Sequence, residues 1–394
     1  MSPVPPRCVA AAEEYFGPEV PYLVGKTLGR GSFGTVKLGI HRETGQQVAL
    51  KILNTSDLVA NPHQMMQTEN EILLTKLLDH ANILKLYDVI LTPQHVVLVL
   101  EYVQGGALLD MVQNNLSPVV AFEYFHTLLL TVEHCHNQGV CHRDLKLDNI
   151  LVDSMGHLKL ADFGLATRYK DGERLSMSCG SPHYASPQVL QKLEYDGKKN
   201  DVWSLGVICY VLMLGTLPFD APQLPQLQQQ ICKGEYSIPV HQPMQLQQFL
   251  SRLLCVDEQQ RASISEVKQH PWWLAMCRAV DLDSQSLQAR PKPMVKSHVM
   301  SNDLRPSTSP SRDAARQFCK PHAAILPHGL VTSHFNTKQN NHGAVNPWSM
   351  NQVMFKTHKR TFGRSSDLYC KKTYGEHDFP SHVESKCLSS VKCK

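Results

Sequence analysis

Apolar and polar side chains alternate in short runs along the first part of the chain, residues 22–103. The clearest runs are 35–40, 48–53 and 95–100. An alternation with a period of two predicts β-strands that bury one face. One stretch near residues 65–78 has helical spacing instead. This pattern predicts a small lobe built mainly from one sheet.

Longer segments with helical spacing dominate from about residue 108 onwards, as in 118–135 and 201–214. The sequence therefore predicts the α+β class, with a sheet-rich N-lobe over residues 22–103 and a larger helical C-lobe over residues 104–273. The cleft between two such lobes is a natural site for a ligand.

The regular pattern is lost beyond residue 273. Residues 281–394 carry 17 basic and 8 acidic side chains, a net charge of +9, whereas residues 1–280 have a net charge of −5. Leu, Ile, Val and Phe make up 20 of the 114 residues in 281–394, which is a low fraction for a chain that forms a core. We therefore predict an N-terminal extension (1–21), a folded region (22–273) and a basic, mostly disordered tail (274–394).

The overall composition excludes several classes of protein. A hydrophobic fraction of 42% and a charged fraction of 19% exclude fibrous and wholly disordered chains. The net charge of +4 is too balanced for a dedicated nucleic-acid binder. The longest apolar stretch, 202–214, is too short for a bilayer span. Twelve cysteines without a CxxC pair are typical of reduced thiols, and the N-terminus lacks a signal-peptide pattern. We expect a soluble cytoplasmic protein.

A glycine-rich motif, Gly29-Arg-Gly31-Ser-Phe-Gly34, lies between two strand-like runs. Glycines let the backbone approach phosphate groups closely, although a tight hairpin without a ligand is an equal alternative. A dinucleotide-binding fingerprint would open a helix, but residues 36–40 have a strand pattern. A Walker loop ending at Gly25-Lys-Thr fails because the required earlier glycine is Val20.

Lys51 lies in the middle of the strand-like run 48–53. It could belong to a solvated face. If it is buried, its charge needs anions, and a phosphate with one carboxylate would supply them. The following helix offers Glu69 and Glu71, and we choose Glu71 as the partner.

Acidic, basic and amide side chains converge after an apolar helix, at Asp144, Lys146 and Asn149, and a further carboxylate follows at Asp162. Phosphoryl transfer needs an acceptor for the hydroxyl proton, a cation for the moving negative charge and oxygen ligands for Mg²⁺. These four side chains provide that set.

A zinc site is the alternative interpretation of this region, which is rich in histidine and cysteine. Closed zinc sites favour repeated ligand pairs on turns, whereas these residues crowd a helix end, so we disfavour zinc. The residues concerned are His134, Cys135, His136, Cys141 and His142.

Taken together and in this order, the motifs resemble those of a eukaryotic protein kinase over residues 22–273. Segments 84–90, 171–173 and 179–185 are similar to the AMP-activated-kinase-like branch of the calcium/calmodulin-kinase group. The motifs that carry the resemblance are Gly29–Val36, Val48–Lys51, Glu71, His142–Asn149, Asp162–Gly164, Ser186–Gln188, Asp201–Gly206 and Arg261.

The resemblance implies catalytic roles for four residues. Asp144 would orient and deprotonate the acceptor hydroxyl, and Lys146 would neutralise the γ-phosphate. Lys51 would hold the α- and β-phosphates of ATP while pairing with Glu71. Lys146, together with Ser181, is similar to the pattern of serine/threonine kinases rather than tyrosine kinases.

The resemblance also implies a cofactor site. Asn149 and Asp162 would bind Mg²⁺, and Asp201 would brace the catalytic loop. Leu100 would be the gatekeeper. The residues expected around ATP, besides Lys51, are Leu28, Gly29, Gly31, Gly34, Val36, Ala49, Leu100, Glu101, Val103 and Leu151.

The implied function is ATP-dependent transfer of the γ-phosphate to serine or threonine hydroxyls of protein substrates. The alternative is a pseudokinase-like scaffold that uses the same fold for binding. The basic tail, 274–394, could dock onto the acidic folded region or contact an acidic membrane.

Four positions depart from the family pattern. Ala107 replaces an acidic residue that contacts substrate, and Thr75 replaces a large apolar side chain. Gln188 replaces a glutamate, so the expected ion pair with Arg261 becomes a hydrogen bond. Met177 lies where this branch normally carries its activating phosphothreonine.

Overall fold

A five-stranded antiparallel sheet forms most of the N-lobe, with the strand order β1-β2-β3-β5-β4. In this computed structural model the described residues are Phe16, 20–31, 34–112 and 116–288, with side chains described as far as Asp281. The predicted tail beyond Gln288 and most of the N-terminal extension lie outside them. The strands are β1 (Tyr22–Gly31), β2 (Gly34–His41), β3 (Gln47–Asn54), β4 (Leu86–Leu91) and β5 (His95–Glu101).

Two helices, α1 (Thr55–Ala60) and α2 (Pro62–Leu77), follow β3. The Asn61 side chain caps α2 by accepting a hydrogen bond from the backbone N–H of Gln64 at 3.2 Å. Pro62 occupies the first helical position, where its missing N–H costs nothing. This combination fixes where α2 begins, and therefore which of its side chains face the sheet.

Two residues of the predicted N-terminal extension belong to the N-lobe core. Phe16 and Val20 are each only 4% exposed. They share an apolar cluster with residues of β1, β3 and β5. The other buried members of this cluster are Tyr22, Leu23, Val24, Val48, Leu50, Ile52, Val97 and Val99.

The C-lobe is built around two long helices, α4 (Pro118–Asn137) and α6 (Gly197–Leu214), and α6 is almost wholly buried. Asp196 caps α6 by accepting from the backbone N–H groups of Lys198 and Lys199, and the helix ends at Gly215, whose φ is +76°. The remaining helices are α3 (Leu108–Val112), α5 (Pro187–Leu190), α7 (Leu224–Lys233), α8 (Met244–Leu253), α9 (Ile264–Gln269) and α10 (Pro271–Gln288).

Helix α10 continues past residue 273, where the sequence predicts the folded region to end. The rings of Trp272 and Trp273 pack against Phe122. Further along α10, Met276 and Val280 pack against the same C-lobe core. Residues 274–288, the first part of the predicted tail, thus belong to a helix whose described apolar side chains pack on the C-lobe.

Two small two-stranded antiparallel sheets belong to the C-lobe. Strand β6 (Val140–Cys141) pairs with β9 (Thr167–Arg168), and β7 (Ile150–Val152) pairs with β8 (Leu158–Leu160). The predicted α+β, two-lobed fold is confirmed. Among the described helices, none combines the length and the apolar character needed to cross a bilayer.

Candidate active site

Lys51 and Glu71 meet in the cleft, one from β3 and the other from α2. The Lys51 ammonium nitrogen lies 2.7 Å from each carboxylate oxygen of Glu71. Burial opposes the charge of Lys51, but Glu71 and Asp162 together raise its pKa above the usual lysine value. Lys51 therefore carries a fixed positive charge at neutral pH.

Asp162 stands opposite, just after β8, in a left-handed backbone conformation with φ of +63°. Burial alone would raise its pKa, but Lys51 and Lys146 lower it below the usual range. The Phe163 ring beside it is buried and packs against the ring of His142 at 4.9 Å. Asp162 is thus held as an anion between two lysines.

The Asp144 carboxylate is held from several sides. The Lys146 ammonium nitrogen lies 2.7 Å from its Oδ2 atom. Ser181 donates to Oδ1 through its backbone N–H at 2.9 Å and its hydroxyl at 3.0 Å. Lys146 also donates to the Ser181 hydroxyl at 3.0 Å, which closes the network. Together these contacts fix the orientation of Asp144.

Asn149 provides an observation on whether Mg²⁺ fits the site. Its side-chain nitrogen donates to the backbone carbonyl of Asp144 at 2.9 Å, so the amide oxygen is the atom left to act as a ligand. Together with the ionised carboxylate of Asp162, this gives two hard oxygen donors, the kind that Mg²⁺ prefers. The residues present therefore fit the metal that the sequence implies.

Asp201, at the buried start of α6, supports the loop that carries Asp144. One of its oxygens accepts from the backbone N–H of His142 at 2.9 Å, and the other accepts from that of Arg143 at 2.8 Å. Burial would raise the pKa of Asp201, but the hydrogen bond with His136 and the neighbouring charges lower it. Arg143 adopts φ of +65° at this point.

His136 is a supporting residue that the sequence interpretation missed. Its Nε2 atom lies 2.8 Å from the Asp201 carboxylate. His136, Cys141 and Asp201 are all buried, and the side-chain atoms with which they could bind a metal lie within 4.8 Å of one another. Both Asp201 oxygens already accept backbone hydrogen bonds, and Cys141 packs closely against Gly197. The group supports the loop that carries Asp144. The last turn of α4, rich in histidine, was its only sequence signal.

The residues predicted around ATP come from both lobes. Strand register places Ala49 opposite Leu100, and Gly29 opposite Val36. Leu151 on β7 forms an antiparallel β-bridge with Ala107, which lies between β5 and α3. Gly31 and Gly34 pair at the turn end of the β1–β2 hairpin, whose tip (32–33) is outside the described residues. Leu28 lies along β1, and Val103 follows β5.

Glu101, at the end of β5, directs its side chain away from this group. Its carboxylate lies 2.8 Å from the ammonium nitrogen of Lys159 and accepts from the backbone N–H of Lys85 at 3.2 Å. The side chain is therefore engaged by protein. Any reading of a nucleotide base by Glu101 uses its backbone.

Gly34 is required for packing as well as for any approach to phosphate. A Cβ atom at this position would lie 2.3 Å from the carbonyl oxygen of Ile52 on β3. At Gly29, by contrast, a Cβ atom would meet nothing within 4 Å. The hairpin therefore needs Gly34 for the sheet itself, whichever ligand binds.

The four departures from the family pattern have clear positions. Gln188 accepts a hydrogen bond from the Arg261 guanidinium at 2.8 Å and donates to the Val256 carbonyl at 2.8 Å. Thr75 is buried on the inner face of α2, and Ala107 forms the bridge to β7. Met177 is described below with the segment that contains it.

Comparison with known proteins agrees with this geometry. The model of the protein kinase domain matches residues 22–273, and the chain belongs to the protein kinase family.

Three relatives indicate which branch of the protein kinase family the chain resembles. Over 257 residues the chain is 42% identical to a probable serine/threonine-protein kinase of Dictyostelium discoideum, covering 65% of this chain and 31% of that protein. It is 44% identical over 256 residues to serine/threonine-protein kinase SIK1 of Mus musculus (64% and 33%). It is 44% identical over 254 residues to sucrose non-fermenting protein kinase 1 of Fusarium virguliforme (64% and 36%).

These similarities confirm the predicted placement in the AMP-activated-kinase-related branch. The chain spans about a third of the length of these relatives. What is shared is therefore the kinase domain.

Proposed function

We propose that the protein is an ATP- and Mg²⁺-dependent serine/threonine protein kinase. The observation that carries this proposal is the fixed Asp144 carboxylate, with Lys146 on one oxygen and Ser181 on the other. The ion pair of Lys51 with Glu71 lies in the same cleft, on its N-lobe side. The kinase names of the relatives support the same reaction.

In the proposed reaction, a serine or threonine hydroxyl of a protein substrate attacks the γ-phosphorus of ATP. The bond from that phosphorus to the bridging oxygen breaks, and ADP leaves. Asp144 orients the hydroxyl and accepts its proton, while Lys146 offsets the negative charge of the transferred group. Lys51, ionised and fixed by Glu71, holds the α- and β-phosphates. Positioning and electrostatics supply most of the acceleration.

Mg²⁺, when bound, neutralises phosphate charge and orients the phosphates for in-line transfer. Asn149 and Asp162 are the residues that would hold it. Around the base, Val36, Ala49 and Leu151 supply apolar contact. The backbone of Val103 and the backbone carbonyl of Glu101 would hydrogen-bond it, since the Glu101 N–H already donates to Lys85. Leu100, which is only 8% exposed, closes the end of the pocket as gatekeeper.

A cytoplasmic location is part of the same proposal. The cysteines of the described region are all free thiols, which fits a reducing compartment. They are Cys135, Cys141, Cys179, Cys209, Cys232, Cys255 and Cys277. Fractionation of cells that express the tagged chain tests this location directly.

The test of activity uses the purified 394-residue chain with labelled ATP, Mg²⁺ and a degenerate library of serine and threonine peptides. We expect transfer to peptide that Asp144→Asn reduces by orders of magnitude. A wild-type protein that binds nucleotide but transfers no more than Asp144→Asn would refute the enzyme and favour the scaffold alternative.

A further inference from the structure

Met177 lies in the activation segment, which we define as residues 162–188. Its side chain is 39% exposed and cannot be phosphorylated. A phosphate in such a segment orders it through charge-assisted hydrogen bonds to arginine. An active enzyme that lacks this group at Met177 needs other contacts to hold the segment.

Arg174, three residues before Met177, makes such a contact. Its Nη1 atom lies 2.5 Å from a carboxylate oxygen of Glu258, and its Nη2 atom donates to the carbonyl oxygen of Glu194 at 2.6 Å. The guanidinium thus joins the activation segment to two separate parts of the C-lobe. Its side chain is 40% exposed, whereas that of Glu258 is 7% exposed.

Glu258 is a rigid anchor rather than a surface partner. Its second carboxylate oxygen accepts from the backbone N–H of Asp196 at 2.9 Å, immediately before α6. A buried carboxylate that loses its partner leaves an uncompensated charge, which is costly. The pair with Arg174 is therefore more persistent than an exposed ion pair, whose contribution is small.

The contact continues along the segment. The backbone of Leu175 forms two hydrogen bonds with Tyr195, at 2.8 and 2.9 Å. The Tyr195 hydroxyl donates to the carbonyl oxygen of Met177 at 2.8 Å. Tyr195 therefore holds the segment at both Leu175 and Met177.

The far end of this stretch meets the reacting group directly. Ser181 donates to Asp144 through both its backbone N–H and its hydroxyl. The residues between Arg174 and Ser181 are therefore held at one end by Glu258 and at the other by the catalytic carboxylate.

We propose that Glu258, acting through Arg174, is a positioning residue for phosphoryl transfer that holds the activation segment in its substrate-binding conformation without phosphorylation. The proposal rests on the kinase activity proposed above. Glu258 supplies a negative charge that is encoded in the sequence and needs no phosphorylation. This charge holds the activation segment in place, as a phosphate would.

The neighbouring serines define the competing possibility, which is a displaced phosphorylation site. The hydroxyl of Ser178 donates to the carbonyl oxygen of Val189 at 2.8 Å, and a phosphate there would break this hydrogen bond. Ser176 is exposed. Treatment of the wild-type chain with phosphatase separates the two possibilities, because the proposal requires activity to persist.

The kinetic test compares Arg174→Met, Glu258→Gln and the double variant. We expect each single variant to lower kcat/KM for peptide about tenfold or more, chiefly by raising the peptide KM, with the KM for ATP within about twofold of wild type. Because Arg174 and Glu258 share one contact, the double variant should lose clearly less than the sum of the losses of the two single variants. A general loss of structure would instead change the KM for both substrates.

The matched control is Lys268→Met. It removes a two-point ion pair with Glu133, between α9 and α4, whose partners are 37% and 27% exposed. This variant should keep wild-type kinetics. The melting temperature of every variant is measured alongside.

A second measurement does not depend on activity. Hydrogen exchange of the Leu175 and Tyr195 amides should be about tenfold or more faster in Arg174→Met than in Lys268→Met. Unchanged exchange, a peptide kcat/KM of Arg174→Met within twofold of wild type, or loss of wild-type activity on phosphatase treatment would each overturn the proposal. Absence of transfer by the wild type, relative to Asp144→Asn, would instead refute the proposed function, while exchange would still show whether Arg174 holds the segment.

Discussion

The guanidinium of Arg261 lies over the indole ring of Trp203, with its central carbon 5.1 Å from the ring centroid. Both side chains are almost fully buried. Burial lowers the pKa of Arg261 to about 10, and Glu258 is the largest opposing influence. Hydrogen bonds to Gln188 and to the carbonyl of Cys255 satisfy further donors. The cation is thus stabilised without the carboxylate that the family pattern would place at Gln188.

Gln188→Leu should destabilise the protein, because it leaves one donor of a buried guanidinium without its acceptor. We expect a loss of about 1–3 kcal/mol in the free energy of unfolding, measured by denaturant titration. Gln247→Leu is the control, since it removes an amide whose hydrogen bond joins residues within one surface region. Equal stability of Gln188→Leu and wild type would show that the Arg261 cation does not depend on this amide.

Lys51→Met should abolish most phosphoryl transfer and weaken the N-lobe as well. The substitution removes the group that holds phosphate and leaves the buried Glu71 carboxylate without its cation. We expect kcat/KM to fall by orders of magnitude and the melting temperature to fall by several degrees. The control, Lys85→Met, changes an exposed lysine of the same lobe. Retained transfer by Lys51→Met would place the phosphate contact elsewhere.

Asp201 should make stability depend on pH in the acid range. Its folded-state pKa lies below the reference value of 3.8, so its contribution is complete above that pH and is lost as the pH falls below it. The difference in melting temperature between wild type and Asp201→Asn should be constant from pH 8 to about pH 5 and should narrow below about pH 4.

Thermal melts of both proteins across this range measure the difference. Glu43→Gln, which removes an exposed carboxylate, is the control for loss of one charge. A difference that widens on acidification would contradict the assigned direction of the pKa shift.

Phe16→Ala should destabilise the N-lobe although the residue precedes the matched kinase domain. Loss of a buried phenylalanine costs about 3–5 kcal/mol in well-packed cores. Met155→Ala, at a side chain that is 78% exposed, should change stability little. Denaturant unfolding of both variants of the 394-residue chain measures the two losses of stability. If Phe16→Ala costs as little as the control, the ring adds nothing to the core.

The strands and long helices could be read from periodicity because each buries one face. The run 95–100 is contained in β5, and the helical stretch near 65–78 corresponds to α2, which ends at Leu77. The first residues of the helices were harder to predict from the sequence. Helix α6 begins at Gly197, four residues before the predicted start, because its first turn is polar and is fixed by the Asp196 cap.

The choice of Glu71 over Glu69 could not come from hydrophobicity. The buried face of α2 carries a polar stripe of Gln64, Thr68, Glu71 and Thr75, whose helical spacing carries no apolar signal. The choice rested on the position of Glu71, nine residues before His80. Glu258 and His136 had no motif, since their roles depend on residues far away in the sequence.

Burial of Phe16 has a consequence for the order in which the lobe forms during synthesis. Its ring shares a cluster with Val97 and Val99 of β5, and β5 inserts between β3 and β4 rather than following the chain order. The phenylalanine therefore emerges from the ribosome well before its partners exist. Long-range contacts of this kind delay closure of a core until the last strand is made. The N-lobe is expected to fold as one cooperative event after β5 has been synthesised. Until then the Phe16 side chain remains exposed to solvent.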